Sequence, residues 1–415
     1  MRKIATGFLL TLFLVFSAGT LLASVIDADF HTEFYSYKLQ LPEEQSHLRS
    51  LQGMRLGVYD AFIPGLSFFI RGRVASDLSN KFGTDPDFRM FGAYLQYSRH
   101  HDNFTIKAGR QFVSAGLEGM TLDGGRIDIK QIKHFDITGF VGTTLGPSFY
   151  NYDEMNSWKD SNAYGGRVKY NGIKRVVIGA SYLERNYKDN LDSRVAGIDL
   201  TYNKKYYSGF FRTDYDIFWN RVKLIAFRPS IKCPMGHKLN LEYMYRKPTF
   251  GLSNIFSVFK NEPYHQFRVN PVYRINPDLR AFATLAYTKF KDDDNTRFSL
   301  GASYKGQSLG GVISDGYGGK KLGLFGSLYR KVNEKLQVYA TADMFNYKLD
   351  SYEDDTTPSL TASFGANYNV FNNFSAQGVM QVLSNRDYKY DNRFYLKLNY
   401  GFKIYQGGDE TGGSR

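Results

Sequence analysis

Two short stretches of this sequence resemble catalytic or phosphate-binding loops, the second only loosely. Gly306-Gln307-Ser308-Leu309-Gly310 fits G-x-S-x-G, in which serine becomes a nucleophile only when a sharp strand-to-helix elbow exposes its hydroxyl beside oxyanion donors. Here Gly311-Val312-Ile313-Ser314 follows, with no amphipathic helix after it, so the expected structure is a hairpin turn. Gly316-Tyr317-Gly318-Gly319-Lys320-Lys321 lacks the first glycine spacing and the final Ser or Thr of a phosphate loop. The histidines, His31, His47, His100, His101, His134, His237 and His265, are scattered, and His100-His101 lies beside a turn without a metal-ligand partner at helical spacing. The single cysteine, Cys233, excludes an internal disulfide, a CxxCH haem attachment and a cysteine zinc site. Acidic clusters at Glu43-Glu44, Asp153-Glu154, Asp292-Asp293-Asp294 and Glu353-Asp354-Asp355 offer hard oxygen ligands, but no EF-hand spacing, so solvated loop charge is expected there. Neither enzymatic chemistry nor a cofactor is expected.

The chemistry that remains is electrostatic. The net charge is +13, from 53 Lys and Arg against 40 Asp and Glu. No basic run exceeds a few residues and no helical recognition element is visible, which argues against nucleic acid as a partner. Many bases instead share one parity within alternating segments: Arg71, Arg73, Lys107, Arg126, Lys130, Lys238, Arg246, Arg268, Arg280, Arg297, Lys397 and Lys403. Cationic rings facing a common lumen raise the local concentration of anions and lower their entry barrier, so a mild anion preference is the expectation. The competing expectation is that Asp128, Glu242 and Asp343, on the same nominal face, pair with these bases and leave little field.

The elements that carry these bases must have a period of two. In Lys238 to Arg246, one parity holds Leu239, Leu241, Tyr243 and Tyr245 and the other Lys238, Asn240, Glu242 and Arg246. In the last segment, Phe394, Leu396, Leu398, Tyr400, Phe402 and Ile404 alternate with Arg393, Tyr395, Lys397, Asn399, Gly401 and Lys403. Leu336 to Tyr347 is less clean, because Tyr339 and Phe345 share a face with Gln337, Thr341 and Asp343. Segments of about ten residues with such alternation are the mark of a transmembrane β-barrel. Aromatic content supports this, with 32 Tyr and 34 Phe, and no segment after the first is continuously apolar enough for a helical span.

Connections alternate in length. Short turns fall at Ile63-Pro64-Gly65, His101-Asp102, Lys133-His134, Asn171-Gly172, Lys204-Lys205, Pro234-Met235-Gly236, Asn276-Pro277, Gly306-Gln307, Asn333-Glu334 and Asn372-Asn373. Between them lie mostly longer polar connections at Pro42 to Leu48, Ser79 to Asp87, Val113 to Leu122, Pro147 to Asp160, Thr249 to Glu262 and Asp350 to Thr357, with shorter ones around Asn190, Trp219, Asp293, Gly318 and Tyr388. The fold class is therefore an all-β, antiparallel transmembrane barrel of about 22 strands, or 16 to 20 if weak segments such as Leu309 to Ser314 are loops. Hydrocarbon offers no partner to an open sheet edge, so the first and last strands must pair.

At the N-terminus, Arg2-Lys3 precedes an apolar run from Ile4 to Leu22, and Leu21-Leu22-Ala23-Ser24 suits signal cleavage. Residues 1–23 read as a signal peptide, with an uncleaved anchor as the alternative, 24–405 as the barrel, and 406–415 as a Gly-rich tail. The expected location is the Gram-negative outer membrane, in contact with its lipid, with both termini periplasmic.

From Phe104-Thr105-Ile106-Lys107-Ala108-Gly109-Arg110-Gln111 through Gly116 to Leu122-Asp123-Gly124-Gly125-Arg126, the sequence resembles a recurring stretch in bacterial outer-membrane porins and alginate-export-like barrels. The resemblance implies a passive channel for small hydrophilic solutes, with a homotrimer as the common assembly of such porins, in which Gly109, Arg110, Gln111 and the Asp123 to Arg126 segment shape or line the pore. The chain is also similar in size and strand number to the barrels of porin–cytochrome conduits, which implies a sleeve around multihaem cytochromes. The tail after Tyr405 departs from the common pattern, in which a barrel stops at its final aromatic.

Overall fold

The computed structural model describes residues 25–39, 44–81, 85–99, 103–145, 157–248, 262–348, 356–386 and 389–405. The expected signal peptide (1–23), the tail (406–415), Glu43, His100-His101, Asp153-Glu154 and Glu353-Asp354-Asp355 lie outside the described residues.

The strands are β1 (Val25–Leu39), β2 (Gln45–Tyr59), β3 (Leu66–Asp77), β4 (Asp87–Arg99), β5 (Phe104–Ser114), β6 (Gly119–Ile132), β7 (Phe135–Thr144) and β8 (Ser161–Tyr170). They continue as β9 (Val176–Tyr187), β10 (Asn190–Asn203), β11 (Tyr207–Asp216), β12 (Arg221–Lys232), β13 (Lys238–Arg246), β14 (Tyr264–Arg274) and β15 (Leu279–Lys289). The last are β16 (Asp294–Tyr304), β17 (Gln307–Gly316), β18 (Lys320–Lys331), β19 (Leu336–Lys348), β20 (Thr357–Phe371), β21 (Phe374–Ser384) and β22 (Asp391–Tyr405). All belong to one 22-stranded sheet in which sequence neighbours pair. β1 also pairs with β22, antiparallel from Val25 opposite Tyr405 to Ser36 opposite Phe394, so the sheet has no edge. Closure is what hydrocarbon demands, because each unpaired backbone group there costs several kcal/mol.

Parity sets the two faces. On β16 to β18, Phe298, Leu300, Leu309, Ile313, Leu322, Leu324 and Leu328 stand exposed on the outer face. The opposite parity carries Arg297, Ser299, Ser308, Ser314 and Ser327. Where aromatics face inward, glycines opposite make room for them. A Cβ at Gly365 would collide with the ring of Tyr339, and one at Gly323 with that of Phe345. This is why the β19 segment departs from clean alternation: its inward rings fill slots on the neighbouring strands.

The segment expected to be weak, Leu309 to Ser314, is regular strand within β17. Lys305 and Gly306 have φ of 48° and 86°, the left-handed pair that a two-residue hairpin turn requires. Ser308 follows that turn at the start of β17, and its hydroxyl hydrogen-bonds Ser327 at 2.7 Å. No strand-to-helix elbow forms at the G-x-S-x-G sequence.

Candidate functional site: an inward-folded hairpin in the lumen

The stretch from Val113 to Leu122, expected to be a long loop, is mostly strand. β5 and β6 stay paired to Ser114 opposite Gly119, leaving only 115–118 as the connection. This hairpin does not stay in the wall. Its ladder with β4 ends at Ala93 opposite Arg110, although β4 continues to Asp87 alongside β3. Beyond that point the tip turns into the barrel and lies against the inner faces of β7 to β12.

The contacts of the tip define its path. Val113, Ala115, Leu117 and Leu122 form one buried cluster with Phe140, Ala163, Leu183 and Val195, which project inward from β7, β8, β9 and β10. Full burial of a large aliphatic side chain contributes roughly 1.5–3 kcal/mol, so this cluster is a substantial anchor. Gly116 is seated against Ser181 and Arg167, and Gly197 leaves space for Leu117. At the extremity Glu118 pairs with Lys223 of β12 and lies 3.7 Å from Arg185 of β9. Inward ion pairs, Arg167 with Asp199 at 2.5 Å and Arg212 with Asp214 at 2.6 Å, flank the seat.

Two glycines permit the turn inward. Gly109 has φ of 119°, which L side chains rarely adopt, and a Cβ there would collide with the Ala93 carbonyl oxygen. Opposite it in register is Gly124, where a Cβ would strike the carbonyl of Val141. The bend is held by charge. Arg110 and Asp123 face each other across the ladder and form two parallel hydrogen bonds, Nε to Oδ1 and Nη2 to Oδ2, both at 2.8 Å. Their side chains are only 9% and 8% exposed, and Arg110 Nη1 also donates to the Met90 carbonyl.

These positions refine the residues singled out in the sequence. Arg110 and Gln111 sit in the hinge, Gln111 being 3% exposed with its amide donating to the Gly124 carbonyl at 3.3 Å. Arg126 is paired with Asp128 at 2.8 Å, Arg268 lies 3.6 Å from Glu242, and Lys397 is 2.8 Å from Glu33. Arg71, Arg73, Lys107, Lys130, Lys238, Arg246, Arg280, Arg297 and Lys403 share the inward parity, and none has an acid within ion-pair distance among the described residues. Asp128 and Glu242 thus neutralise some bases, as the competing expectation held, but they are too few for all.

Sequence reasoning missed two lumenal aromatics. Between Arg71 opposite Gly92 and Gly72 opposite Met90, β4 carries one extra residue, Phe91. This bulge turns the Phe91 ring toward the inward bases, 5.7 Å from the Arg71 guanidinium and 5.3 Å from that of Arg73. Phe112, on the lipid-facing parity of β5, borders the lumen because the hairpin has left the wall.

No protein-family model and no curated protein sequence matches the chain. Among solved structures it is similar to the translocation pore of the P pilus usher (PapC), with a TM-score of 0.50 and 7% identity over 92% of this chain and 99% of that one. The chain has the fold of a transmembrane β-barrel. Acinetobacter baumannii OccAB2 aligns at a TM-score of 0.47 with 12% identity, over 92% of this chain and 98% of that one. Pseudomonas aeruginosa OpdQ aligns at 0.45 with 9% identity, over 92% and 99%. At such identities the likeness is one of architecture, and the chain's own residues must supply the function.

Glu118 lies in the connection at the hairpin tip, where burial acts to raise its carboxyl. Lys223, then Arg185 and Arg212, outweigh this and hold it below the usual carboxylate range. A depressed carboxylate keeps its stabilising charge above its ordinary range and loses it only as pH falls through the lowered value. The tip should therefore stay seated at neutral and mildly acidic pH. In planar-bilayer recordings, flicker is expected only at pH below the ordinary carboxylate range, and Glu118→Gln should show the same flicker at neutral pH. An equally quiet Glu118→Gln channel would show that this contact does not hold the tip.

Proposed function

We propose that this chain is a Gram-negative outer-membrane channel that passes small hydrophilic solutes passively, with mild anion preference and no bond making or breaking. The observation that carries the reading is the closed 22-stranded ring, too wide at that strand number for its inward side chains to fill. An apolar outer face suits lipid and a polar inner face suits water. Both strand termini lie at one rim and the longest connections at the other, and we assign the terminus rim to the periplasm. The unpaired inward bases supply the anion preference.

The alternative is a sleeve around a multihaem cytochrome. The inward hairpin favours the channel, because it takes lumen space that a cytochrome would need. Purified protein in a planar bilayer tests the choice: the channel reading expects steady open steps, whereas a silent barrel that copurifies with haem absorbance supports the sleeve. In a salt gradient the reversal potential should have the sign of anion preference. Cation selectivity would contradict it.

A further inference from the structure

Between the back of the inward hairpin and the wall of β2 to β4 lies a chamber of about 560 Å³, within the roughly 300–1,000 Å³ of small-molecule sites. Its walls are of two kinds. Tyr59, Phe69 and Tyr94 form a run of rings, Tyr59 edge-on to Phe69 at 5.3 Å and Phe69 stacked on Tyr94 at 4.9 Å. Phe91 and Phe112 also border the chamber and are 41% and 64% exposed, so part of each ring is open to the space.

The second kind of wall is cationic. Asp27 is the acid on the lining, and Arg55 reaches it at 3.8 Å while pairing with Asp29. Lys107 stands 5.2 Å above the Tyr94 ring. The nearby Asp128 is already committed, accepting two hydrogen bonds from Arg126 and one from Thr138. Arg71 makes no hydrogen bond or ion pair among the described residues and lies 5.7 Å from the Phe91 ring. Two cations without counter-anions thus stand beside exposed rings, in a space closed on one side by a hairpin that the fold bends inward to build it.

We propose that this chamber is a binding station for small solutes that join a flat ring to a carboxylate. The aromatic faces receive the ring, and Lys107 and Arg71 draw the carboxylate. An anion without a ring would gain only the cations, and a ring without charge only the aromatic faces. The station lies on the permeation path and so rests on the channel reading above.

Isothermal titration of the full-length protein in detergent tests it, with phenylacetate, acetate and 2-phenylethanol as probes. Phenylacetate should bind at least tenfold more tightly than either of the others. Phe112→Ala and Lys107→Gln should each weaken it at least fivefold, and Phe112→Tyr, which keeps a ring, should restore it. Retention of the compact band in unheated SDS gels shows that each variant folds. Equal binding of phenylacetate and acetate, or an unchanged Phe112→Ala in folded protein, overturns the proposal. Bilayer recording of the same preparation separates the two readings. A conducting barrel that does not discriminate the probes removes the station and leaves the channel. A silent barrel that binds phenylacetate removes the channel and leaves the ring-and-carboxylate site.

Discussion

Asp123→Asn is expected to loosen the barrel at its hinge and to release the β5–β6 tip. It leaves Arg110, 9% exposed at the side chain, with a buried charge and no carboxylate across the ladder. Breaking one half of a buried pair costs about 3–5 kcal/mol, much more than the pair itself contributes. The variant's compact band in SDS gels should disappear at a clearly lower temperature than that of the parent. Its single-channel current should rise and flicker as the tip leaves the lumen. Replacing both partners, as Arg110→Met with Asp123→Leu, should recover part of the thermal resistance, because the cross-ladder pair is then removed as a unit. An Asp123→Asn variant as heat-resistant as the parent would show that the pair does not hold the bend.

Gly109→Val should prevent assembly altogether. Valine disfavours a φ of 119° strongly, and its Cβ would be driven into the Ala93 carbonyl and to 2.9 Å from the Tyr94 Cα, both main-chain atoms that cannot yield without breaking the β4–β5 ladder. The expected result is loss of folded, membrane-integrated protein. Gly125 lies in the same sequence stretch, but a Cβ there would meet nothing within 4 Å. Gly125→Ala should therefore assemble normally. Comparable yields of folded Gly109→Val and Gly125→Ala would refute the hinge.

The contrast between these two glycines shows what the sequence reveals. Alternation identifies nearly every strand, because each has lipid on one side and water on the other. The Phe394 to Ile404 parity of β22 and its pairing with β1 follow directly from it. The hairpin tip is illegible for the same physical reason. Once β5 and β6 leave the wall, both faces of the ladder lie inside the barrel, so polarity no longer reports which way a residue points. Phe112 then looks lipid-facing and Val113 to Leu122 looks like a loop. Phe91 is hidden differently: a single inserted residue reverses parity locally, and nothing in Phe88-Arg89-Met90-Phe91-Gly92 marks a bulge. The glycines and the Arg110 and Asp123 pair are visible as types, but their role in a bend depends on contacts with β4 and β7 that lie outside their own stretch.

Phe112 offers the most direct test of the account. With the exposed Cys233 replaced by serine, Phe112→Cys can be recorded in a planar bilayer while a membrane-impermeant, negatively charged methanethiosulfonate reagent is added. An inward hairpin in a water-filled channel predicts rapid modification and a stepwise fall in current. An unmodified thiol in a conducting channel would place Phe112 in lipid and contradict the account.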